Sequence, residues 1–205
     1  MMSHDEARAV AEQLSAGDLT TLPPDAEKLG ELIVLVAGKL ADDRFGGATK
    51  LNKVLYYAEF AHVRETGMPI TGEPYRRLPN GPAPRNLKDV RGRLVREGAV
   101  QLVEEPVLGY TMHRLKALRA PRLELFTESE LRVVDDAVAL LSAHTSASAS
   151  DYSHDEPGWQ MVGPGEDIPF ASAYLPRATG QVSRTAARRG REIAEQYVRE
   201  GRLAR

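Results

Sequence analysis

Between Lys50 and His62 the chain places Leu51, Val54, Leu55, Ala58 and His62 at steps of 3, 1, 3 and 4, a spacing that lines one face of a helix. Thr49, just ahead, has the hydroxyl of an N-cap. Gly67, just behind, is free to turn left-handed and stop the helix. A core helix of about 16–18 residues is predicted. The segment that follows cannot prolong it. Ile70–Pro84 carries Gly72, Pro74, Pro79, Gly81, Pro82 and Pro84, which admits a short strand and a rigid turn but no second helix. The remaining elements therefore have to pack around a helix joined to an extended, proline-stiffened arm.

The other elements read as follows. Ser3 and Glu6 are spaced as a capping box, and Ala7, Val10, Ala11 and Leu14 predict a short amphipathic helix before a turn-rich linker from Gly17 to Pro24. Asp25 is placed to cap a helix whose Leu29, Leu32, Ile33, Val36, Ala37 and Leu40 form the clearest stripe in the chain. Val34 and Leu35 widen that stripe, which predicts burial on more than one side. Asp42–Gly47 is a loop. Pro84–Glu97 reads as a helix with Leu87, Val90, Leu94 and Val95 inward and Gly98 closing it. Val100–Val103 and Tyr110–Leu115 alternate, predicting a hairpin whose Glu-Pro loop near Gly109 is longer than a tight two-residue turn. Thr127 and Glu130 make another capping box, and Leu131, Val134, Val138 and Leu141 predict a helix over 128–143. Ala147–Ser153 is small and polar and admits a short helix. Ser153–Pro169 is loop-rich and holds the only tryptophan. Ser183–Arg202 reads as a last helix, and from Pro176 on eight Arg stand against three Glu.

This gives a fold that is mainly α with a small antiparallel β-sheet, an α+β class. The organisation is an arm helix and linker over 1–24, a main domain over 25–175 and a basic helix over 176–205. Helix, helix, short strand, helix and hairpin is the order of a winged helix-turn-helix, so a winged-helix-like core with extra helices is expected. Order alone does not confer DNA binding.

Composition excludes several functions. With no cysteine among 205 residues there is no disulfide, thiol nucleophile or cysteine-bound zinc. A net charge of −2 gives no overall nucleic-acid footprint. Ser3-His4-Asp5-Glu6 has neither a basic nor an apolar leader region, so no signal peptide is expected. The longest apolar run, Leu32–Ala37, is far short of the ~20 residues of a membrane span. A cytoplasmic protein without membrane contact is expected.

Nor does any motif carry catalysis. Gly46-Gly47-Ala48-Thr49-Lys50 has Thr before Lys and follows a helix, so it reads as a loop and cap, not a phosphate loop. Ser153-His154-Asp155 are adjacent and cannot aim at one another as a triad. His4, His62, His113, His144 and His154 show no metal-ligand spacing. His62 reads as a hydrogen-bonded core residue, and His154 as fixing the turn before Pro157 and Trp159. No catalytic, cofactor-binding or metal-binding residue is assigned.

Tyr56, Tyr57 and Phe60 either pack in the core or line a partner groove. Positions outside the stripe favour exposure of Tyr56 or Phe60. Trp159 is read either as a core plug or as an interface anchor. Lys50, Lys53, Arg76, Arg77, Arg85, Lys88, Arg91, Arg93 and Arg96 are a solvated basic face or a set of phosphate contacts.

Lys50-Leu51-Asn52-Lys53, Leu55-Tyr56-Tyr57-Ala58-Glu59-Phe60, Gly67-Met68-Pro69-Ile70-Thr71-Gly72, Arg77-Leu78-Pro79 and Gly81-Pro82, followed by Ser153-His154-Asp155-Glu156-Pro157-Gly158-Trp159, resemble in order the motifs of the Panacea-domain family. This family comprises SocA-like antitoxins and related phage-associated proteins. Asn80 stands where the family usually has an aromatic. The resemblance covers roughly residues 30–175 and implies a non-enzymatic antitoxin of a toxin–antitoxin system, tied to phage defence, that neutralises a cognate toxin protein by direct contact. Some members instead hand the toxin to a protease, so a protease or chaperone is a further partner, and a homodimer is compatible. The expected partner-binding residues are Lys53, Tyr56, Tyr57, Phe60, Arg77, Asn80, His154, Glu156 and Trp159. The alternative is a winged-helix DNA-binding regulator, autoregulating its operon, with Pro84–Glu97 as recognition helix and Val100–Leu115 as wing.

Overall fold

The computed structural model describes residues 22–107 and 109–177. The expected helices over 7–14 and 183–202 lie outside the described residues. Within them the order is α1 (Ala26–Lys39), α2 (Ala48–Thr66), β1 (Tyr75–Arg76), β2 (Ala83–Pro84), α3 (Leu87–Arg96), β3 (Val100–Val107), β4 (Tyr110–Ala117), α4 (Glu128–Leu141), α5 (Ser146–His154), α6 (Pro157–Gln160) and β5 (Asp167–Ile168). The class is α+β. No helix among the described residues is long and apolar enough to cross a membrane.

Asp25 caps α1 as its position requires, its Oδ1 accepting from the N–H groups of Glu27 at 3.0 Å and Lys28 at 2.8 Å. Every residue from Leu29 to Ala37 is buried, so α1 is enclosed on all sides. That burial includes Glu31, whose carboxylate accepts from Arg119 at 2.6 and 2.8 Å. The Arg119 guanidinium holds the Glu31 carboxyl down to about 2.

The helix α2 spans 19 residues and ends at Gly67, which has φ +82° and donates to Val63 O at 2.8 Å. Its start departs from the sequence expectation. Gly47 is the N-cap, and Thr49 lies inside the first turn and caps nothing. Packing overrides the capping preference here, because Met112 of β4 presses against Gly47. A Cβ on Gly47 would stand 2.6 Å from Met112 Cγ, so this approach is open only to glycine.

Around α2 stand α1, α4, α5, β2 and β4, which decides for the core reading of the three aromatics and against the exposure expected of Tyr56 or Phe60. Tyr56 is 2 % exposed, Tyr57 9 % and Phe60 3 %. The stripe at Leu51, Val54, Leu55 and Ala58 would be the sole buried face only of a helix packed from one side. Tyr56, Phe60 and Tyr75 form one aromatic cluster, with Tyr56–Phe60 centroids 4.3 Å apart and Tyr75 edge-on to both.

The proline-rich arm runs back across α2 as β1, which pairs antiparallel with β2 on one side and β5 on the other. Glu59 of α2 anchors its beginning. Glu59 Oε1 accepts from Thr71 N, Thr71 Oγ1 and Gly72 N at 2.8, 3.1 and 3.0 Å. Burial pushes the Glu59 carboxyl up to about 7 against these bonds. Glu73 accepts from Asn86 N at 2.7 Å, which sets the start of α3.

That start is Leu87 and not Pro84, because Pro84 is committed to pairing with Tyr75. Val90 and Leu94 of α3 are buried against α1 and β3, whereas Val95 is 43 % exposed and so does not face inward. It lies about 100° round the helix from Leu94, where no element packs. The hairpin also differs from expectation. Its strands pair from Val100↔Ala117 to Val107↔Tyr110. This leaves two positions between them and takes Glu104-Glu105-Pro106 into the strand. Arg114 of β4 is buried and ties the hairpin to the loop after α1, donating to Leu40 O and Asp43 O, each at 2.8 Å. The capping box of α4 is present, with Thr127 and Glu130 each accepting from the other's N–H.

Candidate partner-binding site

The nine sequence-predicted site residues divide into an outer and an inner layer. The outer layer begins at the turn Leu78–Asn80. Arg77 lays its guanidinium over the Trp159 ring at 3.9 Å, and the His154 ring stacks on Trp159 with centroids 4.2 Å apart. Each member is held in place. Arg77 Nη1 donates to Val162 O at 2.6 Å, and Trp159 Nε1 donates to Leu78 O at 3.2 Å. His154 acts through this stack. Its Nε2 is buried without a hydrogen-bond partner among the described residues, and it is the His154 carbonyl that accepts from Gln160, at 3.0 Å. The expected hydrogen bond from the ring is thus replaced by a ring contact. Leu78 is 40 % exposed beside the stack, and Asn80 is exposed.

Next to the stack opens a cleft of about 650 Å³. Its walls are Phe45 from the loop before α2, Pro79 and Asn80 from the turn, and Tyr110 from the hairpin. The side formed by α5 contributes Ser150, Asp151 and His154. Phe45, Pro79 and Tyr110 give the cleft apolar and aromatic surface, and Thr49, Asn80, Ser150 and Asp151 place polar groups beside it.

The inner layer positions this surface. Lys53 is 1 % exposed, and its Nζ donates to Pro82 O at 3.2 Å, which pins the turn from below. Burial pushes the Lys53 amine down to about 7. Gly81 has φ +91°, and a Cβ there would stand 2.2 Å from Ser153 Oγ and 2.8 Å from Lys53 Nζ, so turn, α2 and α5 meet at one point. Ser153 Oγ donates to Ser150 O at 2.7 Å, which occupies its proton within the helix. Glu156, Tyr57 and Arg177 make a second buried group. Arg177 lies 3.8 Å over the Tyr152 ring and 3.4 Å from Glu156. Burial raises the Glu156 carboxyl, with Arg177 and Arg64 opposing. Lys53, Tyr56, Tyr57, Phe60 and Glu156 are buried and support the site from within, while Asn80 is exposed and Arg77, His154 and Trp159 are half-buried.

The basic residues also divide. Lys50 is sealed against Asp43 at 2.7 Å. Arg76 and Arg85 pair with Asp167, and Arg93 donates to Ala26 O at 2.6 Å. Lys88, Arg91 and Arg96 are left on α3 with no ion pair among the described residues. His62 is tied into the core as expected, with Nδ1 2.7 Å from Met68 O and Nε2 3.3 Å from Ser129 Oγ. Among the described residues no group of three or more His, Asp or Glu could hold a metal ion.

Sequence reasoning missed Phe45, Tyr110 and Asp151. The signal for Asp151 was slight, one charge within the otherwise uncharged run Ala147–Ser153. Phe45 and Tyr110 gave none, since the cleft is assembled from four separate segments.

Residues 51–160, more than half of the chain, match the family model described as Antitoxin SocA-like, Panacea domain. The match runs from the first turn of α2 to the last residue of α6 and includes the whole stack. No curated protein and no solved structure matches the chain.

Proposed function

Because this chain belongs to the SocA-like antitoxin family that carries the Panacea domain, we propose that it neutralises a cognate toxin by direct contact, without catalysis. The observation that carries this reading is the half-buried stack of Arg77, Trp159 and His154, whose His154 borders an open cleft. Trp and Arg are the side chains that most often dominate binding energy at protein interfaces. Here both are already locked, which lowers the entropy lost when a partner docks. Cytoplasmic location, hand-over of the toxin to a protease or chaperone, pairing into a homodimer and a role in phage defence belong to the same proposal.

The test is co-expression with the product of the neighbouring gene. Growth arrest by that product should be relieved by the wild-type chain, and relief should be lost on Trp159→Ala or Arg77→Ala while the melting transition remains cooperative. A toxin that never co-purifies with the chain, and whose arrest the chain never relieves, refutes the reading.

A second reading is favoured by one observation. Lys88, Arg91 and Arg96 surround the exposed Val95 on the outer side of α3, where a recognition helix would present itself to DNA. The hairpin argues the other way, since Glu104 is 70 % exposed and would meet phosphate as a like charge. A gel shift with promoter DNA that stays flat at low salt removes this reading.

A further inference from the structure

We infer that the cleft binds a small ligand joining a phosphate to an aromatic ring system, a nucleoside monophosphate in class, where the N-terminal turns of two helices meet. This goes beyond the antitoxin reading and does not depend on it. The first ground is a hydroxyl. Ser150 lines the cleft and is 9 % exposed. Its carbonyl accepts from Ser153, but its Oγ makes no hydrogen bond among the described residues. The Oγ is not sealed off, so the little surface it keeps is in the cleft that Ser150 lines. A hydroxyl so placed costs free energy until a group in the cleft meets it.

The second ground is the pair of helix ends. Thr49 in the first turn of α2 and Ala147 in the first turn of α5 both line the cleft. Neither first turn holds an acidic residue. The N-cap of α2 is Gly47, which has no side chain to accept with, and the cap of α5, Thr145, takes only the N–H of Ser148. The first-turn N–H groups left over stand beside the cleft at the positive ends of both helix dipoles. Such ends hold phosphate. The remaining wall suits what a nucleotide adds to its phosphate. Phe45 and Tyr110 offer rings for a base to stack on, Tyr110 being 43 % exposed. Asp151 offers acceptors to the hydroxyls of a ribose and repels a bare anion. The cleft of about 650 Å³ is of the size that small-molecule sites have.

The full chain carries its own reporter. His154 lines the cleft and stacks on Trp159, the only tryptophan, so a ligand in the cleft should change Trp159 emission. Titration with AMP, GMP, CMP and UMP, read by that emission and by calorimetry, should show saturable binding of at least one. Its nucleoside and inorganic phosphate should each bind about tenfold or more weaker. Ser150→Ala removes a hydroxyl that has no partner in the fold, so the melting temperature should hold while the nucleotide binds about tenfold weaker. Ala147→Asp sets a carboxylate in the first turn of α5, which suits the helix and repels phosphate. Melting should then be unchanged or higher, and nucleotide binding should fall to the level of the nucleoside. A nucleoside or inorganic phosphate that binds as tightly as the monophosphate overturns the inference. Binding that both variants leave untouched places the ligand elsewhere and also overturns it. So does the lack of a saturable signal from all four monophosphates at millimolar concentration.

Discussion

Replacing Lys53 by Met should make the protein more stable at neutral pH. Lys53 is 1 % exposed and donates to Pro82 O at 3.2 Å, its one hydrogen bond among the described residues. Its amine falls from the ordinary 10.5 to about 7 because burial disfavours the charged form. At about 1.36 kcal/mol per pH unit, that displacement corresponds to about 5 kcal/mol, of which about 4 is felt at pH 7. Lys53→Met removes this cost but leaves the Pro82 carbonyl without its donor, at about 1–3 kcal/mol. The net is a gain of about 1–3 kcal/mol at pH 7. The sign then changes with pH. Between pH 7 and 10.5 the unfolded chain keeps a proton that the folded chain has released, so wild-type stability rises with pH and that of the variant does not. Urea unfolding at intervals from pH 7 to 9.5 measures the difference between the two proteins. Tyr56, Tyr57 and Tyr75, whose hydroxyls burial raises, are common to both and cancel. A difference that stays constant over this range refutes the reasoning.

Three further outcomes follow from the same geometry. Glu59, raised from 4.5 to about 7 by burial, makes the folded chain hold a proton that the unfolded chain has lost between those values. Its stabilisation is therefore complete below pH 4.5 and is lost as pH rises to 7, by about 3 kcal/mol. Glu59→Gln should abolish this slope in urea unfolding at pH 5 and 7. Gly81→Ala forces a side chain into φ +91° and against Ser153 Oγ, and should lower stability by about 2–4 kcal/mol in thermal melts; a loss below about 0.5 kcal/mol would show that the turn yields. Asp25→Ala removes two accepted N–H bonds at the start of α1 and should cost about 1 kcal/mol, with Asp25→Asn close to wild type in the same assay.

Local signals were legible where one segment settles its own structure. The stripe of α1, its Asp25 cap, the Thr127–Glu130 capping box and the Gly67 stop are all consequences of residues within a few positions of one another. Thr49 was misread because the decisive contact, Met112 on Gly47, comes from a strand more than 60 positions away. The exposure that the stripe suggested for Tyr56 or Phe60 failed for a related reason. Helical periodicity assigns one buried face, and nothing in the sequence announces that α1, α4, α5 and two strands surround α2. Pairing with Tyr75 likewise took Pro84 out of the helix that its neighbours suggested. At the site, Arg77, His154 and Trp159 were singled out separately, while their stacking depends on how the arm and α6 meet.

The two layers explain why costly groups stand where they do. A hydrophobic side chain at position 53 would pack as well and cost less, yet the buried amine gives what an alkyl group cannot, a donor to the Pro82 carbonyl beneath a turn that has no helix or long strand to hold it. Glu59 does the same for Thr71 and Gly72 at the other end of the arm. Both groups exchange stability for a fixed backbone course between residues 71 and 82, from which Arg77, Leu78 and Asn80 project. Each rotamer-rich side chain that is already ordered spares about 0.5–1.5 kcal/mol when a partner binds. With Arg77 and Trp159 both held by carbonyls, the saving in binding is of the same order as the net stability forgone at Lys53. A rigid surface is worth that exchange for a protein that acts by fitting another. An arm held only by apolar contacts would keep the fold and loosen the surface.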